Sequence, residues 1–126
     1  MKRILLAEDE EILRMLITDT LEEEDYRVDE AGDGQEAWDF LKSEKYDLIV
    51  LDYMMPAYSG LEVIVKIRQE GINMDVPIIM LSAKSQLSEQ EKAIAAGADY
   101  FMAKPFSPLE LLRKVRDILN EKNTIQ

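Results

Sequence analysis

The amino-acid sequence predicts an α/β fold, a doubly wound three-layer sandwich built from five βα units. Compact apolar runs alternate along the chain with stretches whose apolar residues recur at helical spacing, the pattern of strand followed by helix. Runs such as Leu48-Ile49-Val50-Leu51 are apolar at every position. That pattern belongs to a strand covered on both faces, as in a parallel sheet flanked by helices on either side.

Each unit is legible in turn. Ile4, Leu5 and Leu6 make the first strand, and Ile12, Leu13, Leu16, Ile17 and Leu21 form the apolar stripe of a first helix within an acidic segment. Val28 to Ala31 is a short second strand. Gly32 and Gly34 bracket a turn, after which Ala37, Trp38 and Leu41 face inward from a second helix. Tyr46 to Leu51 is the third strand. Gly60 opens a helix carrying Leu61, Ile64 and Ile67; Gly71 stops it, and Pro77 introduces the fourth strand, Ile78 to Leu81. Ala93, Ile94 and Ala96 mark a weaker fourth helix that ends at Gly97. Tyr100 to Ala103 is the fifth strand, and Pro108 begins a last helix bearing Leu111, Leu112, Val115, Ile118 and Leu119. Residues 1–121 read as one domain and 122–126 as a C-terminal tail.

Right-handed crossovers with a flavodoxin-like strand order of 2-1-3-4-5 set strands 1 and 3 side by side at the switch point, where open α/β sheets bind ligands. Both of these strands run straight into acids: Glu8 and Asp9 after the first, Asp52 after the third. Carboxylates so gathered require a cation. The sequence has no histidine and no cysteine, which excludes histidine-based triads, phosphohistidine on this chain, thiol catalysis and zinc thiolate sites, so any metal is held by oxygen. A net charge of −11, from 15 basic and 26 acidic side chains, argues against direct binding to nucleic acid or anionic lipid. Met1 to Leu6 is too short for a signal peptide and no apolar run approaches the ~20 residues that span a bilayer, so a cytoplasmic location is expected.

The chain resembles the response-regulator receiver domain, the phospho-accepting part of two-component signalling. The motifs that carry the resemblance are Leu6-Ala7-Glu8-Asp9-Glu10, Asp52-Tyr53-Met54-Met55-Pro56 followed by Gly60, Ser82-Ala83-Lys84, Gly97-Ala98-Asp99 and Lys104-Pro105-Phe106. Each is weak alone, but together they fall at the ends of successive strands in the family's order. The resemblance implies that Asp52 accepts a phosphoryl group from a histidine kinase or phosphotransfer protein, with Mg²⁺ required. It further implies that the Met54 backbone carbonyl is a metal ligand, that Ser82 supplies the hydroxyl drawn to the phosphoryl group, that Phe101 is the switch aromatic, and that Pro105 follows a cis peptide. Met54 and Lys84 stand where the family tunes the lifetime of the phosphorylated state. A single-domain regulator of the chemotaxis type would act by docking on a downstream protein through the face of helix 4, strand 5 and helix 5. The alternative is the receiver portion of a longer, for example DNA-binding, regulator; a phosphorylation-dependent dimer is compatible with either.

The chemistry of the residues agrees. Clustered carboxylates raise one another's pKa unless a cation neutralises them, and Mg²⁺ takes one or two carboxylates, keeps waters and reserves a position for phosphate. Asp9 and Asp52 are expected as direct ligands, Glu8 directly or through water, with Lys104 as the cation on the other side of the phosphoryl oxygens. Such a site stores a charge rather than turning over substrate, so an enzyme is not expected. An aspartate-nucleophile phosphatase of the haloacid dehalogenase type wants a second aspartate two residues after the nucleophile, where Met54 stands. A flavodoxin-like cofactor binder wants a hydroxyl- and glycine-rich loop after strand 1, and Ala7-Glu8-Asp9-Glu10 would repel a nucleotide phosphate.

Overall fold

The computed structural model describes residues 1–83 and 87–124, with side chains described to residue 120. Five strands, β1 (Arg3–Ala7), β2 (Arg27–Ala31), β3 (Leu48–Asp52), β4 (Ile78–Ser82) and β5 (Tyr100–Ala103), alternate with helices α1 (Glu11–Glu22), α2 (Gly34–Leu41), α3 (Gly60–Gln69), α4 (Leu87–Ala96) and α5 (Pro108–Thr124). Every neighbouring pair is parallel, in the order β2-β1-β3-β4-β5 that the sequence predicts. The strand order reverses at β1 and β3, which is what opens a crevice at their carboxyl ends. No described helix is long and apolar enough to cross a membrane.

All residues of β3 and β4 are buried, because helices cover both faces of the sheet. One apolar layer packs Leu5, Ile49, Leu51, Ile78 and Met80 against Ala37 and Leu41 of α2, Val63, Ile64 and Ile67 of α3, and Ala93 of α4. The other packs Ile4, Leu6, Leu48, Val50, Ile79 and Leu81 against Ile17 and Leu21 of α1 and the apolar stripe of α5. Alternation along each strand sends successive side chains into opposite layers.

Three local readings of the sequence are corrected. The stripe read on α1 splits: Ile17 and Leu21 are buried, whereas Ile12 is 68% and Leu16 46% exposed, because the helix lays only one edge on the sheet. β3 begins at Leu48 rather than Tyr46, since the Tyr46 amide is taken by the Asn73 side chain at 2.9 Å instead of by a strand. Helix α5 runs to Thr124, so its backbone remains helical at Lys122 and Asn123 of the segment read as a tail. Helix α4 buries Ala93 alone and leaves Ile94 exposed, which makes it the most lightly packed of the helices described.

The turns at the crevice are fixed by caps. Asp33 accepts from the Glu36 amide at the start of α2, and Ser59 and Glu62 form a reciprocal capping box at the start of α3. At the opposite end of the sheet, the Arg68 guanidinium joins α3 to Met74, Val76, Gly97 and Asp99 through five hydrogen bonds of 2.7 to 3.0 Å. Gly60 is required by a close approach rather than by torsion: a Cβ there would lie 2.5 Å from the Asp52 carbonyl oxygen and against Met80. Gly60→Ala should therefore destabilise the protein by about 1–3 kcal/mol, the range for overpacking. Denaturant unfolding checks this, and wild-type stability in the variant would contradict it.

Candidate functional site

Strand pairing brings the acids together. Ala7 is opposite Leu51 across β1 and β3, so Glu8 and Asp52 each follow by one residue and emerge on the same rim. The Glu8 amide donates to the Ala31 carbonyl at 3.0 Å, which extends the β1–β2 ladder by one bond. Glu8 is 0% and Asp52 5% exposed, while Asp9 is exposed beside them. One carboxylate oxygen from each of Glu8, Asp9 and Asp52 lies within 4.8 Å of the others.

Lys104 reaches this cluster from the end of β5. Its amide donates to the Ser82 carbonyl at 2.8 Å, the Lys104–Pro105 peptide is cis, and its Nζ stands 2.8 Å from Glu8 Oε1 and 3.2 Å from Asp52 Oδ2. Burial of the Asp52 carboxyl, together with the charge of Glu8 and a hydrogen bond shared with it, pushes its pKa up from 3.8 to about 7 against the downward pull of Lys104. Burial lowers the pKa of Lys104, but its contacts with Glu8 and Asp52 outweigh that and raise it, so the ammonium keeps its proton.

The donor set suits a hard divalent cation. Glu8 Oε2 accepts from the Glu10 amide at 3.1 Å, whereas the buried Oε1 faces the Lys104 ammonium at 2.8 Å. Three carboxylates converging with a single ammonium against them are a fit for Mg²⁺ and a poor fit for a soft metal. The Met54 amide is 3.4 Å from Asp52 Oδ1, which curls the chain back over the carboxylate and keeps the Met54 peptide at the site.

Of the remaining residues singled out in the sequence, Ser82 stands at the crevice and Phe101 lies further back within β5. Asp52 is opposite Leu81, and Ser82, buried, is the next residue of β4. Phe101 is opposite Met80 and packs in the layer of α2, α3 and α4, whereas Tyr100 faces the α1 and α5 layer, with Lys114 Nζ 4.6 Å from its ring centroid. The two neighbouring aromatics thus face opposite layers of the fold. Lys84 lies outside the described residues. Sequence reasoning missed Arg14, whose guanidinium binds the Glu8 carbonyl at 2.8 Å; a signal was present, as it is the first basic residue after the acids from Glu8 to Glu11.

The chain matches the family model of the response regulator receiver domain over residues 4–116. It is 41% identical over 122 residues to response regulator ArlR of Staphylococcus aureus, covering 97% of this chain and 54% of ArlR. Among solved structures, chemotaxis response regulator CheY4 of Vibrio cholerae is similar at a TM-score of 0.89 and 29% identity, over 94% of this chain and 99% of that one. Response regulator TrrA of Thermotoga maritima, solved in complex with Mg²⁺-BeF, is similar at a TM-score of 0.82 and 41% identity, over 94% of this chain and 100% of that one. The protein belongs to the response regulator receiver domain family and is a receiver domain of two-component signalling with an acidic pocket. The chain spans about half the length of the curated relatives GtcR and ArlR that it matches.

The site's electrostatics give a pH dependence of definite sign. The folded Asp52 carboxyl holds its proton to about pH 7, whereas an unfolded one releases it near 3.8, so this group makes the metal-free fold less stable as pH rises from about 4 to 7. A divalent cation held by these carboxylates would reverse that trend. About 10 mM Mg²⁺ should raise the melting temperature by several degrees at about pH 8 and by less at about pH 5.5, where protons compete for the carboxylates. Melting curves at both pH values, with and without Mg²⁺, check this; no shift at the higher pH would contradict a metal site.

Proposed function

We propose that Asp52 is the phospho-acceptor of this receiver domain, with a phosphohistidine on a histidine kinase or phosphotransfer protein as donor. The observation that carries this reading is a buried carboxylate, Asp52, with Lys104 Nζ at 3.2 Å and two further acids around it. An aspartate-nucleophile phosphatase would want a second aspartate where Met54 stands, and a flavin phosphate would be repelled by Glu8 and Asp9.

A carboxylate oxygen of Asp52 attacks phosphorus, the P–N bond to the donor imidazole breaks, and the electron pair leaves with the ring. No general base is needed, because a divalent cation at the acids would leave the nucleophile ionised before attack. Glu8, Asp9, Asp52 and the Met54 carbonyl would hold Mg²⁺, which when bound neutralises the acids and the incoming phosphoryl oxygens. Lys104 is placed to exchange its contact with Asp52 for one with a phosphoryl oxygen while keeping Glu8 as its counterion.

The switch then works by population shift. The added oxygens attract Ser82 and Lys104, and the packing of Phe101 on the α4 side follows the movement of Ser82. Helix α4 is suited to moving because Ala93 is the one residue it buries. The face of α4, β5 and α5 is what a downstream partner reads. The length of GtcR and ArlR supports the reading in which that partner is an output domain joined to the receiver, over a separate docking target. The domain is a signalling phospho-acceptor in the cytoplasm rather than an enzyme.

Incubation with acetyl phosphate and Mg²⁺ should produce a hydroxylamine-labile phosphoprotein, and Asp52→Asn should abolish it. Label persisting on that variant would overturn the assignment.

A further inference from the structure

Arg14 brings a positive charge into an acidic corner. It lies on α1, close behind Glu8, Asp9, Glu10 and Glu11, and its side chain is only 20% exposed. Nη1 donates to the Glu8 carbonyl at 2.8 Å and Nε to Glu30 Oε1 at 3.1 Å. Glu30 belongs to β2, so the guanidinium ties that strand to the chain leaving β1. Gly32 leaves room for it, since a Cβ there would come within 3.2 Å of Nη1.

The carbonyl that Arg14 grips belongs to the peptide group joining Glu8 to Asp9. A peptide group is planar, so fixing its oxygen restrains the torsions on either side, ψ of Glu8 and φ of Asp9. Those torsions set the directions of the two carboxylates relative to each other. The other end of Glu8 is held independently by its amide on Ala31 and by Oε2 on the Glu10 amide. Arg14 supplies the restraint that remains.

We infer that Arg14 is a positioning residue for the divalent-cation site, acting through the Glu8–Asp9 peptide to hold both carboxylates in binding geometry. The inference rests on the metal reading of the acidic pocket. A purely electrostatic role has the opposite sign: a fixed cation beside the pocket repels Mg²⁺, so deleting it would tighten binding. Positioning predicts that deletion weakens binding, by about tenfold on the scale of groups that orient metal ligands.

Calorimetric titration of MgCl₂ into wild type, Arg14→Ala and Arg14→Lys separates these roles. Lysine keeps the charge and most of the stem but lacks the planar fork that reaches a carbonyl and a carboxylate together. Both variants should bind Mg²⁺ about tenfold more weakly than wild type, with unchanged far-ultraviolet circular dichroism. Equal or tighter binding by folded Arg14→Ala would overturn the inference, and so would wild-type affinity in Arg14→Lys. If Arg14→Ala does not fold, Arg14→Lys decides alone. Failure of wild type to bind Mg²⁺ would instead overturn the metal reading, and this inference with it.

Discussion

Two carboxylates buried side by side at the ends of adjacent strands are the constraint on which the rest of this structure turns. Glu8 and Asp52 are almost wholly excluded from water, and the first cost of that burial is a proton held on Asp52 up to about pH 7. Lys104 offsets part of the cost by standing between them. One ammonium against two buried acids and a third, exposed acid leaves a net negative crevice. That imbalance suits the site to a divalent cation, which in the proposed function would balance the charge of a phosphoryl group.

The fold's regular features serve to maintain this arrangement. Parallel pairing of β1 with β3 puts Glu8 and Asp52 on one rim, and the absence of a side chain at Gly60 lets α3 start against the Asp52 carbonyl. Lys104 is delivered from β5, two strands away from β3, with its amide fastened to β4. The end of the sheet that holds the site is thus assembled from the ends of four strands, β1, β3, β4 and β5. The opposite end is clamped by Arg68, and α4 sits between them with little buried surface. A rigid sheet beside a lightly held helix is the arrangement that the proposed switch would use to turn a charge at Asp52 into a change of surface.

Most of the architecture was legible because β1, β3, β4 and β5 are each built on an apolar run and the junctions carry a glycine, a proline or an acid; β2, with Asp29 and Glu30 inside it, is the exception. The acids were legible from their joint placement: each alone could be a helix start or a turn residue, but three after two neighbouring apolar strands point to one site. What was illegible depends on tertiary geometry. Apolar periodicity on α1 offered Ile12 and Leu16 as well as Ile17 and Leu21, and only docking on the sheet decides which edge is covered. The pairing of Lys104 with Glu8 joins residues from opposite ends of the chain, and the grip of Arg14 is on a backbone carbonyl, which leaves no pattern in side-chain types.

The central claim is that burial and Glu8 together hold Asp52 protonated far above its ordinary range until a cation relieves it. Carbon-13 NMR titration of the Asp52 carboxyl, with and without saturating Mg²⁺, tests this most directly. The account predicts a midpoint near 7 in the metal-free protein and a marked fall when Mg²⁺ is bound. A midpoint near 3.8 in the metal-free protein, unmoved by Mg²⁺, would contradict it.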